Sequence, residues 1–202
     1  MKSLQLLFFI LQLSLTCYSQ TSWEYRDSGI EKSELRDFKG ALRDFNKAVE
    51  LNPKYEVGYL LRALVKRDLK DFNGALIDFD KALAINPKIE SAYISRGLIK
   101  IDLDNYKGAI VDFSKVIALN PKNEQGFLWR GKSRFHLKEF KGALEDFNSV
   151  IKNNSNNAEA YYFKAISNAQ LSGTKNGVCS DLNKALKLGS EDAQELIDMI
   201  CK

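Results

Sequence analysis

Residues 56–89 read EVGYLLRALVKRDLKDFNGALIDFDKALAINPKI, and residues 90–123 read ESAYISRGLIKIDLDNYKGAIVDFSKVIALNPKN. Both segments are 34 residues long, and they are identical at 16 positions. Self-similarity at a fixed period of about 20–50 residues is typical of repeat architectures. These two segments therefore predict a protein built from stacked copies of one unit.

The same period runs through most of the chain. All three prolines follow asparagine, and they lie at Pro53, Pro87 and Pro121. Gly-Ala pairs begin at Gly40, Gly74, Gly108 and Gly142, and Asp-Phe pairs begin at Asp44, Asp78, Asp112 and Asp146. Leucines recur at Leu35, Leu69, Leu103, Leu137 and Leu171. We expect five units, over residues 22–55, 56–89, 90–123, 124–157 and 158–190.

Each unit contains two segments with helical periodicity. In the second unit, Tyr59 and Ala63 lie on one face with 3–4 spacing, and Ala75 and Phe79 lie on another. The residue before a proline avoids the α region, so Asn86-Pro87 ends the second helix. Neither helix can bury its apolar face alone, and we expect the units to stack and share a core.

This pattern resembles the tetratricopeptide repeat. The family motif of a large aromatic residue, a small residue, alanine, an aromatic residue and proline matches Tyr59, Ala63, Ala75, Phe79 and Pro87. The resemblance implies an all-α fold, a right-handed superhelical solenoid of antiparallel helix pairs over residues 20–202. Residues 191–201 have an apolar side suited to a helix that caps the last repeat.

Basic residues stand where the family usually has leucine, at Arg62, Arg96, Arg130 and Lys164. One interpretation is a ladder of cations for an acidic ligand. The other is ion pairing with the equally periodic Asp44, Asp78, Asp112 and Asp146 of adjacent helices. The matching numbers and the identical period favour pairing.

Residues 1–19 have the pattern of an export signal. Lys2 precedes an apolar run from Leu4 to Leu15, and Cys17-Tyr18-Ser19 offers a small-x-small cleavage site. The run is too short to span a bilayer of roughly 30 Å, and a hydrophobic core helix is the alternative. We expect an exported protein in the periplasm or secreted, with a bacterial envelope as its setting and no transmembrane segment after signal removal.

Two cysteines remain in the mature chain, Cys179 and Cys201. An even number of cysteines in an exported protein favours a disulfide. The helices on either side of Ser190 should form an antiparallel hairpin, and each cysteine lies 11 residues from Ser190, so the two should meet at its open end. Two free core cysteines are the alternative.

The composition excludes several function classes. With 45% hydrophobic and 28% charged residues, the chain is neither disordered nor collagen-like. The net charge of +4 is spread along the sequence and indicates no nucleic-acid patch. Three cysteines and one histidine, His136, provide no metal cluster. We expect no cofactor and no enzymatic activity.

By the family resemblance, the first helices of the repeats line a concave groove for extended or helical peptides. Its positions in this sequence are Leu60, Leu64, Arg67, Ile94, Leu98, Ile101, Leu128, Lys132, Phe135, Tyr162 and Ile166. Family members that clamp a terminal carboxylate place lysine and asparagine there, and the mostly aliphatic residues here argue against that clamp. An apolar groove either binds a hydrophobic peptide segment or is filled by neighbouring side chains.

The resemblance implies a non-catalytic scaffold or adaptor that binds a protein or peptide partner. A binding protein for a small or polymeric cell-envelope ligand in the same groove is the alternative. An enzyme with a site assembled from scattered carboxylates is a third hypothesis. The fold itself carries no target, so the partner has to be sought in the side chains of the site.

Overall fold

A computed structural model describes residues 21–171 and 175–201, and the predicted signal peptide lies outside this part of the chain. The described residues form eleven α-helices joined by short turns, without a strand. The helices are α1 (Ser22–Glu34), α2 (Phe38–Leu51), α3 (Glu56–Asp68), α4 (Phe72–Ile85), α5 (Glu90–Asp102), α6 (Tyr106–Leu119), α7 (Glu124–His136), α8 (Phe140–Asn153), α9 (Ala158–Leu171), α10 (Lys175–Lys187) and α11 (Asp192–Ile200). The predicted all-α fold class is confirmed.

On a larger scale than the repeats, the chain divides into two compact parts, with the boundary after Ile85. These parts, and no longer the single repeats, are called the first and the second unit from here on. In the first unit, α1 packs on α2, α3 packs on α4, and α2 joins the two pairs through α3. In the second unit, the pairs are α5 with α6, α7 with α8, and α9 with α10, and each pair packs on the next. Consecutive pairing of helices is therefore the rule within both units.

Phenylalanines of the second helices fill the space between paired helices. Phe45 and Phe113 are 1% and 0% exposed. A Cβ atom added at Gly29 would lie 2.6 Å from the Phe45 ring, and one added at Gly97 would lie 2.8 Å from the Phe113 ring. A larger residue at either glycine would push the helices apart, because interiors are already close-packed.

The Gly-Ala pairs have a role at the start of the second helices. The Asp71 side chain accepts a hydrogen bond from the Gly74 backbone N–H at 2.9 Å, which satisfies one of the unpaired donors of α4. A Cβ at Gly74 would lie 2.1 Å from the Asp71 carboxylate. Glycine therefore leaves room for the cap.

The second helices end in an asparagine turn. The Asn86 side chain accepts a hydrogen bond from the Lys88 backbone N–H at 3.1 Å. Asn154 makes the same bond with the Asn156 N–H at 3.0 Å, although Ser155 replaces proline there. The turn survives in the fourth repeat because the asparagine side chain, and not only the proline ring, stabilises it.

The final helix, α11, packs on α10. Ala193 is buried in a cluster with Ala165 and Leu182, and Leu196 and Ile197 pack against that cluster. The apolar side expected from residues 191–201 is therefore the side that contacts the core of the second unit.

Candidate functional site

The periodic basic residues of the first helices are paired inside the protein. Arg62 donates two hydrogen bonds to the Asp78 carboxylate, at 2.8 and 2.6 Å, and the Lys66 ammonium lies 2.7 Å from it. Equivalent trios are Arg96, Lys100 and Asp112, and Arg130, Arg134 and Asp146. Ion pairing is confirmed for these arginines, and each trio keeps a net charge of +1 because two cations share one carboxylate.

The predicted ion-pair partners are wrong for the first and the last repeat. In the first repeat, Ser28 stands where the later repeats have arginine, and Asp44 instead accepts from the Ser28 hydroxyl at 2.7 Å and from the Lys32 ammonium at 2.5 Å. In the last repeat, Lys164 pairs with Asp181 at 3.0 Å. Each partner belongs to the second helix of the same repeat, and the extra residue of the fifth repeat shifts that aspartate by one position.

In the first unit, the predicted groove residues lie on α3. Leu64 and Arg67 line a cavity of about 220 Å³ together with Ile30 and Ser33 of α1. Leu60 packs against a buried core cluster. Space for a ligand side chain therefore exists between α1 and α3.

In the second unit, the predicted groove positions of α5 are Ile94, Leu98 and Ile101, and all three are partly exposed. Leu128 of α7 is only 8% exposed and belongs to the core cluster that contains Phe147. A ligand on this face would contact the α5 side chains more readily than Leu128.

Lys132 of α7 is held by an acidic and aromatic environment. Its ammonium lies 2.6 Å from the Glu159 carboxylate, and it sits over the rings of Trp129 and Phe163 at 4.1 and 5.1 Å from their centroids. Carboxylate contact and cation–π attraction act together here, and the Lys132 side chain is only 17% exposed.

Phe135 lines another cavity, which lies in the second unit. This cavity has a volume of about 280 Å³, and Phe140 and Gln170 also line it. His136 borders the same cavity, and its ring stacks on Tyr106 with centroids 4.6 Å apart. His136 therefore makes an aromatic contact at the end of α7.

Tyr162 lines a third cavity, of about 330 Å³, at the start of α9. Phe163 and Glu159 form one wall, and Asp192 lies on the other. Burial first, and then the charges of Asp192 and Glu195, raise the pKa of the Tyr162 hydroxyl above its ordinary value. Ile166, one turn further along α9, is partly exposed.

Four residues of these sites escaped the sequence prediction, namely Trp129, Glu159, Phe163 and Asp192. Counting family positions selects only one stripe of each first helix, and Trp129, Glu159 and Phe163 lie outside that stripe. The clustering of aromatic residues between Phe127 and Phe163 was a signal for Trp129 and Phe163. No local signal marks Asp192, because its position depends on how α11 packs.

The structure joins Cys179 of α10 to Cys201 by a disulfide, with the two Cα atoms 5.7 Å apart. This separation lies within the usual range for disulfides. Within the described residues, no three His, Cys, Asp or Glu side chains come together as a metal site. The same residues include no helix of the length and apolar character required to cross a membrane.

Comparison with known proteins finds a family model that matches part of the chain. A tetratricopeptide repeat family model matches residues 58–89 and 90–123. No protein of curated function has a significant sequence match to the chain.

Solved structures have the same fold. The structure titled as YrrB, a TPR protein with an unusual peptide-binding site, is 18% identical, with a TM-score of 0.81 over 93% of this chain and 97% of that one. A MamA structure is 22% identical, with a TM-score of 0.79 over 87% of this chain and 96% of that one. MamA 41-end from Desulfovibrio magneticus RS-1 is 17% identical, with a TM-score of 0.76 over 85% and 97% of the two chains. Residues 58–123 therefore match tetratricopeptide repeats, and the described residues have the same fold as these solved structures.

Proposed function

We propose that this protein is a non-catalytic interaction scaffold that binds a peptide or protein segment along the first helices of the repeats within each unit. The observation that carries the proposal is the partial exposure of the predicted positions. Leu128 is buried, and the other ten are partly exposed. Apolar side chains that stay accessible on one helix face favour a binding surface.

The cavities support a peptide as the ligand. In the second unit, the Phe135 cavity includes Gln170 near the end of α9, and the Tyr162 cavity includes Ala158 at its start. Ala158 and Gln170 are 12 residues apart on α9, which is about 18 Å at 1.5 Å per residue. The two cavities therefore suit side chains about five or six residues apart in an extended chain. The YrrB structure is described as that of a TPR protein with a peptide-binding site, which makes peptides a ligand class for this fold.

We also infer that the protein works outside the cytoplasm. The signal pattern of residues 1–19 and the contact of Cys179 with Cys201 both support export, because disulfides persist in oxidising compartments. A bacterial periplasm or a secreted form is the setting that these features favour.

Affinity capture from envelope extract tests the scaffold proposal. The mature chain, residues 20–202, is compared with the variants Leu64→Glu and Leu98→Glu. We expect each variant to capture a specific protein at least about tenfold less, because a charge without a partner is unfavourable in an apolar contact. Mass spectrometry identifies the captured proteins, and circular dichroism confirms the fold.

Matched controls come from the second helices. Ile77 and Val111 are 56% and 58% exposed, and Ile77→Glu and Val111→Glu introduce the same charge in the same two units. These two variants should capture as much of the partner as the unmodified protein does. Equal capture by all four variants would contradict the proposal, as would the absence of any retained protein with the fold intact.

A further inference from the structure

The cavity beside Tyr162 has an aromatic wall. The rings of Tyr162 and Phe163 are 5.4 Å apart and perpendicular. Both side chains are partly exposed, and together with Ser190 and Asp192 they line a space of about 330 Å³. Tyr162 is also one of the predicted groove positions, so this cavity lies at the site proposed for peptide binding.

The surroundings of this cavity are negatively charged. Residues 190–201 contain four carboxylates, Glu191, Asp192, Glu195 and Asp198, and no lysine or arginine. Glu159 and Asp192 line the cavity, and no lining residue is basic. Glu159 already pairs with Lys132, so Asp192 is the lining carboxylate that is left for a ligand. Among the described residues, neither Asp192 nor Glu195 has a hydrogen-bond or ion-pair partner, and both charges act on the Tyr162 hydroxyl.

The protein itself shows what this kind of wall binds. The Lys132 ammonium contacts Glu159 and lies over two aromatic rings, those of Phe163 and Trp129. A cation is attracted to the face of an aromatic ring and more strongly where a carboxylate is close. The Tyr162 side offers rings and carboxylates in the same combination, without a lysine of its own.

We propose that the Tyr162 cavity binds a lysine or arginine side chain of a protein partner. The cationic head lies between the Tyr162 ring and the carboxylates of Asp192 and Glu195, and the alkyl stem packs on Phe163. This proposal rests on the proposed peptide-binding function and names the chemistry of the partner. Ile166, further along α9, provides an apolar contact for a neighbouring residue, which favours a peptide over a free amine.

The selectivity is opposite to that of a groove that clamps a carboxylate with lysine and asparagine. A basic segment is attracted to the cavity, whereas an acidic segment is repelled by the four carboxylates of residues 190–201. The binding preference should therefore depend on charge and weaken at high salt.

Two peptides with the same apolar residues test the proposal, acetyl-Leu-Lys-Leu-Lys-Leu-amide and acetyl-Leu-Glu-Leu-Glu-Leu-amide. Their affinities for the mature protein, with its disulfide intact, are measured by NMR titration. We expect the lysine peptide to bind at least about tenfold more tightly. Its chemical-shift changes should centre on Tyr162, Phe163 and Asp192.

A charge-neutral double variant, Asp192→Asn with Glu195→Gln, should remove most of that preference. The control is Glu139→Gln with Glu145→Gln, which removes two exposed carboxylates from α8 and its cap and should leave the preference unchanged. Raising the salt concentration should selectively weaken the binding of the lysine peptide to the unmodified protein. This tests the same charges without a substitution.

Equal affinity for the two peptides, or a preference that survives in the Asp192/Glu195 variant, would overturn the proposal while leaving peptide binding itself intact. Failure of both peptides to bind would overturn it as well. The capture experiment with Leu98→Glu decides the scaffold function independently, because Leu98 lies on α5 and not in this cavity.

Discussion

At the scale of single residues, the buried aspartates organise each helix pair. Asp112 is 0% exposed, between Arg96 and Lys100 of the preceding helix. A carboxylate without partners would be very unfavourable there, whereas two cations and charge-assisted hydrogen bonds satisfy it. The Arg96 guanidinium also lies over the Tyr93 ring, 5.4 Å from its centroid. An arginine thus stands where the family usually has leucine, and its ion pair with the aspartate orients the two helices.

At this position, arginine contributes further hydrogen bonds in addition to its charge. Besides binding Asp78, Arg62 donates a hydrogen bond to the Asn46 side chain of the preceding repeat at 2.8 Å. Arg130 likewise donates to the Ser114 hydroxyl at 3.2 Å. The planar guanidinium can serve two helices at once, which a lysine ammonium does less well.

Replacing Arg96 by alanine should lower the free energy of unfolding by about 3–5 kcal/mol, because it leaves a buried charge incompletely paired. Lys100 remains near Asp112 and favours the lower end of that range. Chemical denaturation checks the value. The matched control, Lys107→Ala, changes an exposed residue of α6 and should stay within about 0.5 kcal/mol of the unmodified protein. An unchanged midpoint for Arg96→Ala would contradict a stabilising pair.

At the scale of the helical elements, the turn inside each of the first four repeats has a left-handed residue. Arg36, Lys70, Asp104 and Lys138 have φ between 56° and 64°. Hydrogen bonds hold this geometry. The Arg36 N–H donates to the Ser33 carbonyl at 3.0 Å, and the Asp37 N–H donates to the Lys32 carbonyl at 2.8 Å. A side chain at this position is strained, since Cβ crowds the backbone in the left-handed region.

The variant Arg36→Gly should therefore stabilise the protein, by about 1 kcal/mol, because glycine adopts the left-handed conformation without a steric cost. Thermal unfolding measures the change. Arg36→Ala is the control, since it removes the same side chain but keeps the Cβ atom and should give no comparable gain. A melting temperature that falls for Arg36→Gly would show that the turn is not strained.

At the scale of the whole molecule, the last helix closes one end of the second unit. The α11 helix has nine residues and a single fully buried residue, Ala193. So short a helix is marginal without tertiary support. The Cys179–Cys201 disulfide links the residue after α11 to α10. The covalent link therefore holds α11, and with it Asp192, against the last repeat.

Reduction of this disulfide should destabilise the C-terminal end of the protein by about 3 kcal/mol in the chain-entropy account. Hydrogen exchange of the α10 and α11 amides, with and without reductant, measures the effect where it arises. The variant Cys179→Ser with Cys201→Ser should match the reduced protein and should no longer respond to reductant.

The same disulfide bears on the export proposal. Protein isolated from its native cells, denatured without reductant and treated with a thiol reagent should show no labelling at Cys179 or Cys201. N-terminal sequencing of that sample should begin near Gln20. Labelling of both cysteines, or an intact N-terminus, would contradict the export proposal.

The sequence by itself determined the helical repeats and the arginine–aspartate pairs of the middle repeats. These features are local or recur with one period, so spacing is enough to predict them. Only the tertiary structure decided that Leu128 is buried, that Lys164 pairs with Asp181 and that Asp192 lies beside Tyr162. Each of these depends on how helices far apart in the chain pack against one another, and side-chain packing is not encoded in the spacing of a single repeat.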